Sequence, residues 1–127
     1  MKIKLTSVLV DDQSKAENFY TKILGFVKKR DIPMGKFRWL TVVSPEGSSE
    51  IELLLEPNEN PAAQTYQRAL FESGIPLACF FVDDIQKEYA RLKALGVRFK
   101  SEPTKAGPAT IAVLDDTCGN MIQICQV

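Results

Sequence analysis

Two stretches of the chain say nearly the same thing. "VDDQSKAENFYTKILGF" begins at Val10 and "VDDIQKEYARLKALGV" at Val82, and both run from Val-Asp-Asp to Leu-Gly. In a chain of 127 residues, such a repeat limits the fold to one compact domain made of two very small units that share a core, because neither half alone buries enough surface.

The residues around the repeat define the unit. "IKLTSVLV" (residues 3–10) and "PLACFFV" (residues 76–82) are apolar and β-branched, with period-2 character, and read as strands. A helical pattern follows each: Ala16, Phe19, Tyr20, Ile23 and Leu24 in the first copy, Ile85, Tyr89, Leu92 and Leu95 in the second. Asp12 or Ser14 caps the first helix, with Ser14 and Glu17 spaced for a capping box. Asp83 or Asp84 caps the second, and Gly25 and Gly96 end the two helices. The Asp-Asp pairs are thereby assigned to capping rather than to acid–base work. A short strand comes next ("FVKKR"; "VRFKS"), then a loop with proline and glycine, then a hairpin. The hairpins span residues 37–55 and 109–127, turning at Pro45-Glu46-Gly47 and at Thr117-Cys118-Gly119-Asn120.

Each half is therefore strand, helix, strand, strand, strand, and the class is α+β with two tandem βαβββ modules. Module one covers about 1–56 and module two about 76–127; residues 57–75 form a linker whose "AAQTYQRALFESG" is helical and ends at Gly74. A sheet with one helix buries one face against that helix, so the other face needs a partner. A second copy of the unit supplies it, and the expected result is a cup-shaped half-barrel around a shared interior.

Charge and composition remove several function classes. Lys plus Arg equals Asp plus Glu at 16 each, and no basic stripe is present to hold a phosphate backbone, so nucleic acid is not an expected partner. No segment approaches the roughly 20 apolar residues of a membrane span, and the N-terminal apolar run is broken by Thr6 and Ser7, which places the protein in the cytoplasm. Cys79, Cys118 and Cys125 lack CxxC spacing and are read as small core residues in a reducing compartment. The chain has no histidine, so neither Ser-His-Asp nor Cys-His catalysis is possible. Gly-rich loops for dinucleotides or nucleoside triphosphates are also missing.

The motifs V-D-D…A-x-x-F-Y-x-x-x-L-G-F (residues 10–26), E-L-L (52–54), F-x-V-D-D…L-x-x-L-G-V (80–97) and D-x-x-G-N-x-I-Q (116–123) resemble the vicinal oxygen chelate superfamily, which includes glyoxalase I, bleomycin-resistance proteins and extradiol dioxygenases. The resemblance spans the chain and implies the two-module fold; the activities of the superfamily vary widely. In its metalloenzymes, the first and last strands of each module each give a ligand, usually His, Gln or Glu. Matched motif to motif, the first-strand positions fall on Leu5 and Leu77 and the last-strand positions on Glu52 and Gln123. Two leucines donate nothing, whereas a catalytic ion takes about three protein ligands. No tightly held metal or other cofactor is expected, only weak divalent binding at Glu52 and Gln123.

Strand alternation predicts what lines the cup. With Glu52 facing inward, Glu50 and Leu54 share its face and Ile51, Leu53 and Leu55 turn to the helix. Leu5, Ser7 and Leu9, Leu77, Cys79 and Phe81, and Met121, Gln123 and Cys125 also point inward, and the hairpin brings Thr41 and Trp39 beside Glu52 and Leu54. The candidate ligand-binding set is Ser7, Trp39, Thr41, Glu52, Leu77, Phe81 and Gln123. Trp39, with Phe37 and Phe81, offers rings for stacking, and a desolvated Glu52 with a raised pKa is the candidate catalytic base or hydrogen-bond partner; the rival reading puts it at the rim in water or in an ion pair with Arg38, Lys36 or Arg98.

The leading reading is a binding protein for a small apolar or aromatic compound. The alternative is a lyase, isomerase or dioxygenase-type enzyme using Glu52 as base or a weak metal at Glu52 and Gln123, and a structural role comes third. The resemblance also implies a homodimer that covers open sheet edges.

Overall fold

The computed structural model describes residues Met1–Val127, which divide into two compact units, Met1–Gln64 and Thr65–Val127. The first unit holds β1 (Leu5–Val10), α1 (Gln13–Asn18) continued by a π-helical turn (Phe19–Ile23), β2 (Val27–Met34), β3 (Phe37–Val43) and β4 (Glu52–Pro57). α2 (Pro61–Glu72) contains the boundary. The second unit holds β5 (Ala78–Phe81), α3 (Ile85–Ala94), β6 (Thr104–Ala106), β7 (Ala109–Asp115) and β8 (Met121–Gln126). The α+β order of strand, helix and three strands occurs in both.

The first sheet runs β1-β4-β3-β2, with β1 and β4 parallel. A parallel pair cannot be closed by a tight turn, so α1 is the start of the crossover that joins them. Asp12 caps it, accepting from the Lys15 N–H at 2.9 Å; the cap lies before Ser14, so the Ser14–Glu17 capping box does not form. Ala16, Phe19 and Tyr20 are buried on the helical side, where Val8, Val10, Leu40, Val42, Leu53 and Leu55 form the core. Gly25 leaves the helical segment at φ 91°, a conformation that any side chain would strain.

The second sheet repeats the plan in the order β5-β8-β7-β6. Asp84, not Asp83, caps α3 by accepting from the Lys87 N–H at 3.0 Å. Ile85 and Leu92 bury their side chains with Ala112, Leu114, Ile122 and Ile124. Tyr20 is fully buried and Tyr89 meets Phe99 edge-on, so both tyrosines are packing residues.

Three sequence expectations need correction. β2 does not stop at Arg30 but runs to Met34, pairing with Phe37 across a Gly35-Lys36 turn; Pro33 is tolerated because β2 is an edge strand. The strand expected at residues 97–101 is reduced to a single Phe99–Leu114 bridge, and the ladder resumes at Thr104, after Pro103. Finally, Thr41 pairs with Leu54 and not with Glu52, two residues from the expected register.

The D-x-x-G-N motif is a structural turn. The buried Asp116 carboxylate accepts from Cys118 N (2.7 Å), Asn120 N (3.0 Å) and Asn120 Nδ2 (2.7 Å). Buried Gln67 closes the network, donating to Asn120 Oδ1 at 2.9 Å and Cys118 O at 3.2 Å. Gly119, at φ 99°, leaves the room: a Cβ there would stand 2.8 Å from Gln67 Nε2. Asp116→Ala strands several buried donors and is expected to lower the unfolding free energy by about 3 kcal/mol, measured by urea denaturation; a loss below about 0.5 kcal/mol, ordinary for a surface change, would contradict this role.

Candidate functional site

On the first sheet, register decides what stands with Glu52. Leu5 pairs with Glu52, Ser7 with Leu54 and Leu9 with Glu56, so these side chains share the face turned from α1. Thr41 lies on the same face beside Leu54, and Trp39 follows two residues along, in register with Ile32. Ser7, Trp39, Thr41 and Glu52 thus belong to one sheet face. Ile51 does not turn inward to the helix layer; it precedes β4 and is half exposed.

Glu52 is held by Thr41, which the sequence placed beside it, and by two cations the sequence did not reveal. Thr41 Oγ1 donates to Glu52 Oε1 at 2.7 Å, Arg30 Nε donates to the same oxygen at 3.0 Å, and Lys29 Nζ lies 3.7 Å from Oε2. Lys29 and Arg30 are adjacent, and in a regular strand they would point to opposite faces. A bulge resolves this: the register passes from Lys28–Val42 to Arg30–Thr41, so two residues of β2 advance against one of β3 and both cations reach one carboxylate. The sequence signal was the basic run Lys28-Lys29-Arg30, which reads as a solvated strand unless the bulge is known.

These contacts reverse the expected electrostatics. The Thr41 hydroxyl, opposed by burial and aided by Arg30 and Lys29, lowers the Glu52 pKa from its ordinary value. Glu52 is therefore not the raised-pKa base anticipated, and its partners are Arg30 and Lys29 rather than Arg38, Lys36 or Arg98. Arg38 serves another cluster, bonding Glu17 and Asp31. Lys28, then Arg38, hold Glu17 below its usual pKa.

Beyond Thr41–Leu54 the β3–β4 ladder gives way to a side chain. Gln13 Nε2 donates to Arg38 O (2.6 Å) and Leu55 O (2.9 Å), and its Oε1 accepts from Arg38 N (3.0 Å). The carboxamide replaces the missing strand-to-strand bonds and spaces β3, which carries Trp39, from β4. In the second unit the repeat places Ile85 there, and the β7–β8 ladder runs unbroken from Thr110–Gln126 to Asp115–Met121.

On the second sheet Gln123 pairs with Cys79, and Gln123 Nε2 approaches Cys79 Sγ at 3.4 Å. Pro76, Leu77, Ala78, Cys79 and Gln123 line a recess of about 340 Å³. Phe81 lies farther along the same face, opposite Cys125, and is 68% exposed. The structure thus joins Leu77 and Gln123 at one recess and leaves Phe81 outside its lining.

The sequence matches the profile of the Glyoxalase/Bleomycin resistance protein/Dioxygenase superfamily over residues 2–124. The chain belongs to this superfamily. It is 62% identical to the uncharacterized protein YurT of Bacillus subtilis (strain 168) over 126 residues, covering 99% of each chain. Among solved structures it is similar to UcmS2, with a TM-score of 0.83 at 30% identity over 98% of this chain and 97% of the other. It is also similar to TnmS3, an antibiotic-binding protein from Streptomyces sp. CB03234, with a TM-score of 0.73 at 28% identity over 99% and 95%. No helix is long and apolar enough to cross a membrane.

The superfamily's divalent ion fits these residues poorly. Leu5 faces Glu52 with no donor atom, the Glu52 oxygens are engaged by a hydroxyl and two cations, and Gln123 faces a thiol. Hard ions require several oxygen donors, which neither sheet face provides.

A carboxylate whose pKa is lowered by folding stabilises the fold above its unfolded pKa, and that contribution disappears as pH falls through the folded value. Glu52→Gln is therefore expected to lower the urea midpoint at neutral pH and to flatten its decline on the acid side of the ordinary carboxylate range. An unchanged neutral midpoint with an unchanged acid decline would show that the ion cluster does not stabilise the fold.

Proposed function

We propose that this protein binds a small apolar or aromatic organic compound on its helix-free sheet faces, without a tightly held metal. The observation that carries the reading is the first face: Trp39, Ile32, Leu5 and Leu54 are apolar, beside the polar Thr41–Glu52–Arg30 cluster. A mostly apolar surface with a few convergent polar atoms suits an organic ligand: the rings stack and the polar atoms fix orientation. In this reading the Arg30 guanidinium, shared with Glu52, donates to a planar polar edge, and Ser7 adds a hydroxyl on the same face. The open recess lined by Leu77 and Gln123 on the second sheet is a separate candidate contact surface of its own unit.

TnmS3 supports the class of ligand, since it is an antibiotic-binding protein of similar fold and sequence. The enzymatic alternative is weaker, because a carboxylate with a lowered pKa makes a poor general base near neutral pH. A homodimer in the cytoplasm belongs to the same proposal: β2 is an edge strand, exposed throughout, with Val27, Ile32 and Met34 available to a second copy.

Trp39 is the only tryptophan, so its fluorescence reports on this face directly. Titration with naphthalene and anthraquinone derivatives is expected to quench it saturably, and Trp39→Ala to weaken the same compounds at least tenfold (roughly a hot-spot aromatic) by calorimetry. Absence of binding across the set, with divalent-dependent turnover of aldehyde or diol substrates, would replace this reading with the enzymatic one.

A further inference from the structure

Cys79 and Cys125 share a face of the second sheet. β5 and β8 are parallel, Cys79 pairs with Gln123 and Phe81 with Cys125, so the two cysteines are diagonal neighbours two residues apart along the strand. Strands about 4.8 Å apart with a rise of about 3.3 Å per residue put their Cα atoms about 8 Å apart. A disulfide needs Cα atoms within about 7 Å, so direct oxidation to S–S requires the backbone to move. Their side chains stand on the same face of the sheet, and burial first, and then the neighbouring Cys79 thiol, raise the Cys125 pKa.

We propose that Cys79 and Cys125 form a two-coordinate site for a soft monovalent cation of the Cu(I) or Ag(I) class. One metal atom between two sulfurs, at about 2.3 Å from each, spans about 4.6 Å, a bridge wider than an S–S bond and suited to a diagonal pair. The ligand set selects the ion. No group of three or more His, Cys, Asp or Glu side chains comes together, which leaves Zn²⁺ without its usual tetrahedral ligands, whereas two thiolates satisfy a soft d¹⁰ cation. Binding displaces one proton from each thiol, so the cation and two thiols become a bis-thiolate of net charge −1 and two released protons. Gln123 Nε2, already directed at Cys79 Sγ, donates to the thiolate that forms and acts as a positioning residue. Cys79 is exposed and gives the cation its entry, while Cys125 is buried beside it. The sulfurs lie on the second sheet and not on the Trp39 face, but Cys79 and Gln123 also line the Leu77–Gln123 recess, so the sulfur-to-copper signal rather than ligand binding is what reads this site.

The test is an anaerobic titration of the reduced full-length protein with Cu(I) in competition with a chromogenic chelator, with ultraviolet absorption and proton release recorded together. A single equivalent is expected to bind with sulfur-to-copper charge-transfer absorption and release of protons. Cys79→Ser, an exposed and structurally mild change, is expected to abolish all three signals with the circular dichroism unchanged. Gln123→Leu is expected to weaken binding about tenfold, and Cys118→Ser, which lies in the Asp116 turn, to leave the copper signals intact. Stoichiometric binding that survives Cys79→Ser overturns the proposal, as does quantitative formation of a Cys79–Cys125 disulfide in air, which would show the pair to be closer than its register allows.

Discussion

In each unit the first strand pairs parallel with the last, β1 with β4 and β5 with β8. Everything else depends on this constraint. Parallel neighbours need a crossover, the crossover begins with a helix, and a helix covers one face of the sheet. Alternation then assigns alternate residues of every strand to the helical core or to the opposite face. Val8, Leu53 and Leu55 go to the core, and Leu5, Ser7, Glu52 and Leu54 go to the opposite face. The aspartate caps and the positive-φ glycines fix where each helix starts and stops, and thus the length of the crossover.

Within that frame, one irregularity sets the character of the first face. The β2 bulge turns Lys29 and Arg30 toward the same carboxylate, which converts Glu52 from a desolvated acid into an ion-paired anion. Had β2 been regular, one of these cations would have joined the Glu17–Lys28–Asp31–Arg38 cluster on the helical side. The face would then carry a carboxylate with fewer partners, better placed to take a metal or a proton. A bulge of one residue thus separates an ion-paired carboxylate from one with acid–base character.

Much of the fold was legible in the sequence because the repeat states it twice. Period-2 strands, helical spacing after each Asp-Asp, and Leu-Gly endings are local signals, and they located every helix and most strands. Signals that depend on distant pairing were not legible. The eight residues between β3 and β4 leave their register undetermined, so Thr41 was expected beside Glu52 and is found beside Leu54, although its hydroxyl still reaches Glu52. The bulge, the Gln13 carboxamide that replaces β3–β4 bonds, and the pairing of Gln123 with Cys79 likewise arise from tertiary register and carry no motif. The cysteines, read as small core residues, divide: Cys118 and Cys125 are buried, while Cys79 is exposed.

The two units share a plan and differ in chemistry. Gln13 opens the first sheet where Ile85 closes the second, and the first face carries the Glu52 ion cluster where the second carries two cysteines. The state of Glu52 is the point on which the binding reading turns. A ¹³C NMR titration of the Glu52 side-chain carboxyl, assigned by comparison with Glu52→Gln, measures it directly. A transition below that of an ordinary glutamate is the predicted result. A transition at or above the ordinary value would contradict the ion-paired assignment and return Glu52 to candidacy as a general base.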